Sequence, residues 1–164
     1  MGIAMKINEI LPRFLLILCL LAAVPPQASA DAAPPIAEFR HDDLTIRTGG
    51  GVYFFTIELA RTPAEQEQGL MHRDSLDPAR GMLFIMPEDS VMRMWMKDTL
   101  IPLDMLFIDR HGKIVYIAAN ATPESEAIIT AGRPVRAVLE LAGGVAELRG
   151  IHVGDHVVHS YFMP

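Results

Sequence analysis

Five side chains place charge or an aromatic ring inside apolar surroundings: Arg73, Trp95, Lys97, Asp104 and Glu140. Trp95 and Lys97 fall in Met94-Trp95-Met96-Lys97-Asp98-Thr99, followed at once by Ile101-Pro102-Leu103-Asp104. A charge buried there must be paired or belong to a site, because an isolated ion in a low-dielectric interior is strongly disfavoured. Asp104 and Glu140 suit two chemistries. As a carboxylate pair they would supply the acid and base of a glycosidase-like hydrolase. As acceptors they would take salt bridges from Lys97 and Arg73 and fix the bend at Pro102. Trp95, the single Trp of the chain, adds a flat amphipathic surface suited to sugar rings or anionic groups held by nearby cations.

The alternation Met92-x-Met94-x-Met96 raises soft-metal chemistry, since thioethers ligate Cu(I). On a strand the three Met side chains share one face, and Arg93, Trp95 and Lys97 share the other. Two cations beside the segment oppose a bound cation, so the Met face is read as core packing. The histidines give no closed ligand set either. His156 and His159 differ by an odd number and face opposite sides of a strand, and His152 near Gly154 adds one ligand where a site needs three or four. They are read as surface residues, and neither a metal nor a cofactor is expected. Gly-x-Ser-x-Gly and His-Glu-x-x-His are absent, which removes lipase-like and zincin mechanisms.

The amino terminus reads as an export address. Lys6 and Arg13 form a basic region, Phe14 to Val24 an apolar run, and Ala28-Ser29-Ala30 a small-x-small cleavage site. The apolar run is too short to span a bilayer, so residues 1–30 are expected to leave as a signal peptide, with no transmembrane anchor after processing. Leu18 before Cys19 departs from a lipobox. Loss of Lys6, Arg13 and Glu9 leaves 12 Lys and Arg against 19 Asp and Glu, a net charge of −7. Such a surface repels a phosphate backbone, so no nucleic-acid partner is expected. The single Cys also lies in the leader, so the exported domain must be held by apolar burial and not by disulfides. A periplasmic or extracellular location follows.

Residues 31–43, with two prolines and little periodicity, read as a flexible tether, and residues 44–164 as one domain. Val52–Ala60 is a strand after a triple-Gly turn, and Thr62-Pro63-Ala64-Glu65 is a capping box that opens a surface helix. Further strands are predicted over 82–86, 91–97, 103–108, 113–119, 135–141 and 155–162, with a turn at 87–90 and a second short helix over 144–149. Residues 120–134 form the one long irregular stretch, of a length that is usually functional or mobile. The pattern predicts an α+β, β-dominated domain: a small barrel-like or packed-sheet arrangement of short, mostly antiparallel strands with two short helices.

Glu58-Leu59-Ala60, Gly69-Leu70-Met71, Arg73, Gly81-Met82-Leu83-Phe84 and Trp95-Met96-Lys97 recur in order with Thr99, Pro102-Leu103-Asp104, Phe107, Leu139-Glu140, Gly143 and Gly154-Asp155. In these residues the chain resembles the DUF192 family of small secreted prokaryotic proteins, over nearly the whole exported segment. The resemblance brings no reaction with it. It departs at Asp98, where the family has Asn, so an amide donor is replaced by an acceptor-only carboxylate. The expected function is a non-enzymatic exported module that binds a small polar ligand or an envelope protein in a cleft lined by Trp95, Lys97 and Arg73, with Asp104 reaching back to hold Lys97. The alternative is a hydrolase of envelope sugars or peptides acting through Asp104 and Glu140.

Overall fold

The hairpin that starts the domain is dictated by its sequence: Leu44 and Ile46 on one strand, and Phe55, Ile57 and Leu59 on the next, alternate with exposed polar residues around a Gly49-Gly50 turn. In the computed structural model, which describes residues 38–162, these are β1 (Arg40–Thr48) and β2 (Gly51–Ala60), paired antiparallel along their length. The remaining elements are α1 (Pro63–Gln68), β3 (Arg80–Ser90), β4 (Leu103–Ile108), β5 (Ile114–Ala121), β6 (Val135–Ala142), α2 (Val145–Leu148) and β7 (His156–Val158), then a 3-10 turn over Ser160–Phe162. The expected signal peptide and most of the expected tether lie outside the described residues. Of the residues expected in the tether, Arg40 to Asp43 belong to β1 and pair with Leu59 to Thr56, and Phe39 is buried.

The seven strands form one sheet in the order β5-β4-β6-β3-β2-β1-β7. Only β2 and β3 run parallel, joined by the crossover that contains α1; all other neighbours are antiparallel. The sheet curls into a half-barrel, as a right-twisted sheet of this width tends to. Its two edge strands meet at one end, where Lys113 bridges His156 and the Val157 N–H donates to the Gly112 carbonyl at 2.7 Å. Gly112 (φ 82°) sits so close to the Val157 carbonyl that a Cβ there would collide with it.

Both faces of the sheet are covered, which explains why all six residues of β4 are buried. One core layer lies within the curl and includes Leu44, Ile57, Leu106, Leu139, Ile151 and Val157. The other lies on the opposite face, where Met82, Phe84, Met105, Phe107 and Val138 pack beneath Met92 and Met96.

Several boundaries differ from expectation. β3 continues through Pro87 to Ser90 because a register shift after Ile85 lets the strand absorb the proline. Residues 91–97 form no strand: they pair at Met94 alone, with Ile129 from the long loop, and turn at Lys97. The last strand is only three residues long, and His159 after it is buried beside Asp42 instead of lying on the surface.

The capping box is present in full. Thr62 Oγ1 accepts from the Glu65 N–H at 3.2 Å, and Glu65 Oε2 accepts from the N–H groups of Thr62 and Arg61 at 2.8 and 2.7 Å. With only six residues, α1 depends on these bonds and on the docking of Leu70 behind it. Thr62→Ala is therefore expected to lower stability by about 1 kcal/mol, read as a shifted urea midpoint with an unchanged slope.

Candidate functional site

Strand parity decides what the two carboxylates can do. In the β4–β6 ladder Met105 lies opposite Glu140 and Asp104 opposite Leu141, so Asp104 and Glu140 point to opposite faces of the sheet. They do not form a carboxylate pair. Asp104 points into the curl, and both its oxygens are used: Oδ1 accepts from the Asn120 N–H and Oδ2 from the Ala146 N–H, each at 2.8 Å. Its function is to tie β5 and α2 to β4, not to reach Lys97.

Glu140 is different. It lies between Met82 of β3 and Met105 of β4, both fully buried, and is itself only 4 % exposed. Among the described residues no donor or cation bonds its carboxylate. Burial alone pushes its pKa up from the ordinary 4.5 to about 8. No buried, unbonded side-chain oxygen remains among the described residues, so the carboxyl must reach open space, and it does so in the wall of a cavity.

That cavity, of about 440 Å³, opens between the α1 turn, the end of β3 and the 91–99 segment. Its apolar wall includes Met71, Phe84, Met92, Met94 and Trp95, and its polar groups include Arg93, Thr99 and Glu140. The 91–99 segment, which turns at Lys97 and Asp98, is held in place by the long loop. Met94 and Ile129 exchange two backbone hydrogen bonds at 2.9 Å, the Met96 N–H donates to Ser125 at 2.8 Å, and the Glu124 N–H donates to Thr99 at 3.1 Å. Alternation survives without a regular strand: Met92 and Met96 are buried, whereas Arg93, Trp95 and Lys97 are exposed. The Met residues therefore pack as core, and Trp95, 48 % exposed, stands at the cavity wall with one side in solvent. Among the described residues no group of three or more His, Cys, Asp or Glu is arranged to hold a metal ion.

The expected cationic neighbours are placed elsewhere. Arg73 forks onto Glu58 with bonds of 2.7 and 2.5 Å and lies 5.9 Å from the Phe39 ring centre, so it neither lines the cavity nor meets Asp104 or Glu140. Lys97 is exposed and outside the lining; Arg93 takes its place there. Of the expected binding set, the structure thus keeps Trp95 at the cavity, brings in Glu140, and separates Lys97, Arg73 and Asp104 from it. Glu58 was the missed partner. Its signal was the outward position between Ile57 and Leu59, but only the β2–β3 crossover brings Arg73 over it. Asp98 also finds an explanation. Its φ is 53°, its carbonyl accepts from the His72 N–H at 2.8 Å, and the left-handed conformation is one that Asp and Asn both tolerate.

Comparison with known proteins adds lineage without a reaction. A crystal structure from Sinorhizobium meliloti, described as a candidate transcription regulator, is 41 % identical, with a TM-score of 0.75 over 77 % of this chain and 98 % of that one. A protein of unknown function from Novosphingobium aromaticivorans is 37 % identical, with a TM-score of 0.73 over 83 % of this chain and all of the other. No curated protein matches the chain significantly. The model of the DUF192 family, described as uncharacterised ACR, matches residues 44–159. That span holds every strand from β2 to β7, both helices and the whole cavity wall, and the chain belongs to the DUF192 family.

Proposed function

We propose that this chain is a non-enzymatic binding module of the cell envelope that holds a small molecule in the cavity between Trp95 and Glu140. The observation that carries this reading is Glu140 itself, a nearly fully buried carboxyl with no protein partner, facing a cavity of small-molecule size. An unpaired acid in an apolar wall costs folding free energy, and a ligand that bonds it removes that cost. Hydrolysis fits less well, because the second carboxylate lies on the other face of the sheet and is committed to backbone N–H groups. Transcription regulation fits poorly too: the chain carries a net charge of −6, and the described helices, six and four residues long, are too short to serve as recognition helices. The export signal in residues 1–30 supports placing the module outside the cytoplasm, with the mature chain starting at Asp31.

Trp95 makes the reading testable. Its emission should be quenched by acrylamide in the free protein, in keeping with an indole half in solvent. Ligands found in a fragment screen should shift that emission, and Trp95→Ala should weaken them by about tenfold or more while moving the thermal midpoint little. Fragments that bind the wild type and the Trp95→Ala variant alike would place the binding site elsewhere.

A further inference from the structure

The cavity wall sets one buried carboxyl, Glu140, among thioether and aromatic groups, and this selects the ligand. We propose that the site takes small organic cations, an ammonium group seated against Glu140 with its apolar body among the Met side chains and Trp95. This rests on the ligand-binding reading of the same cavity and names its ligand class.

Glu140 offers two oxygens and has no protein cation to meet them. The charged groups around it are few. On its own face, Glu58 lies two strands away across Met82 and is already neutralised by Arg73. The cavity lining adds Glu67 from α1 and Arg93 from the 91–99 segment, both exposed and of opposite sign. Neither β3 nor β4 brings a charge beside Glu140, since its cross-strand neighbours are Met82 and Met105. Of the charged groups that line the cavity, Glu140 is the one that is buried.

The other lining groups favour a cation over an anion or a carbonyl compound. Thioether sulfurs of Met71, Met92 and Met94 are polarizable weak acceptors, and the faces of Phe84 and Trp95 carry negative potential. Two lining donors are engaged elsewhere: the Thr99 hydroxyl donates to the Lys97 carbonyl at 3.2 Å, and the Gln66 amide donates to Ala60 and Ile85 at 3.3 and 2.9 Å. An ammonium group brings a positive charge to the Glu140 carboxyl, which no cation among the described residues meets; Arg93, the cation of the lining, is exposed. Because burial keeps the Glu140 proton in place up to about pH 8, an ammonium ion must displace that proton to form the pair. Binding should then release one proton and strengthen with pH.

The test is titration calorimetry on the full exported chain with matched pairs: phenethylamine against phenethyl alcohol, and choline against dimethylbutanol. The expected result is a preference of at least about tenfold for each cation above pH 8, weakening by up to about tenfold per pH unit below it. Heats measured in buffers of different ionisation enthalpy should show the released proton, and Glu140→Gln should abolish the preference and the pH slope together. Equal binding of cation and alcohol, or a cation preference that persists in Glu140→Gln, overturns the inference and leaves the cavity as a binding site for neutral molecules. If neither member of either pair binds while the fragment screen finds Trp95-dependent ligands, the cation inference fails and the binding module stands. If that screen is also empty, both fail.

Discussion

Glu140→Gln is expected to stabilise the protein at pH 8 and to leave it nearly unchanged at pH 4. In the folded chain the Glu140 carboxyl titrates near 8, against an ordinary 4.5 for an unburied Glu, and the cause is burial alone. Between these values the native state keeps a proton that the unfolded chain has released, so stability falls as pH rises. The contribution is fully present below about pH 4.5 and lost above about pH 8. At about 1.4 kcal/mol per unit the whole interval amounts to roughly 4–5 kcal/mol, and water entering through the cavity reduces it, so about 3 kcal/mol is the expected gain for the Gln variant at pH 8. Urea unfolding of both proteins at several pH values measures it directly. The difference between the two curves cancels the groups that work in the acid range, such as Glu65, whose carboxyl is held low by the Thr62 and Arg61 N–H groups. Parallel curves from pH 5 to pH 8.5 would show that Glu140 is not buried as described. A residue that weakens its own fold at neutral pH is the kind retained for binding.

Local signals were legible in the sequence and long-range pairings were not. The Thr62 capping box and the run Leu103–Ile108 each rest on neighbours within a few residues, and each is found where expected. The Met alternation over 92–96 was also legible, because side-chain parity needs only an extended backbone and not a ladder. What could not be read was register. Whether Asp104 and Glu140 meet depends on a one-residue choice between β4 and β6, and in this fold Met105 stands opposite Glu140. The partner of Arg73 likewise depends on a parallel crossover that brings Glu58 beside Met82. The strand through Pro87 was hidden because a proline argues for a turn unless a bulge absorbs it, and here the register does shift after Ile85. The candidate site was half visible: Trp95 and Glu140 stood out as polar interruptions of apolar sequence, but which of the five marked residues converge is a property of sheet order alone.

Asp104→Ala should be the most damaging of the substitutions considered, and its cost separates a structural acid from a catalytic one. Asp104 is fully buried, and each of its oxygens receives one backbone N–H at 2.8 Å, from Asn120 and from Ala146. The second bond matters because α2 is only four residues long and starts at Gly144 in the left-handed conformation, with no side-chain cap of its own. Asp104 supplies that cap from a strand more than forty positions away, and its charge suits the positive end of the helix. Alanine leaves a buried donor at Ala146 and a part-buried one at Asn120 without partners, and a small void beside Val145 and Ala146, which belong to the inner core layer. Each orphaned donor costs about 1–3 kcal/mol, so a loss of roughly 3–5 kcal/mol is expected. Asn keeps one acceptor oxygen and turns the other position into a donor facing an N–H, so it should recover only part of that loss. Denaturant unfolding measures the total, and amide exchange locates it, with protection at Asn120 and Ala146 falling first. A variant that keeps its stability within about 1 kcal/mol of wild type would return Asp104 to the list of residues free for chemistry. The contrast with Glu140 is the physical argument for where the site lies. Two carboxylates on neighbouring strands share the same burial; one is saturated by the backbone and holds the fold, while the other, left without a partner at the cavity wall, is available to a ligand.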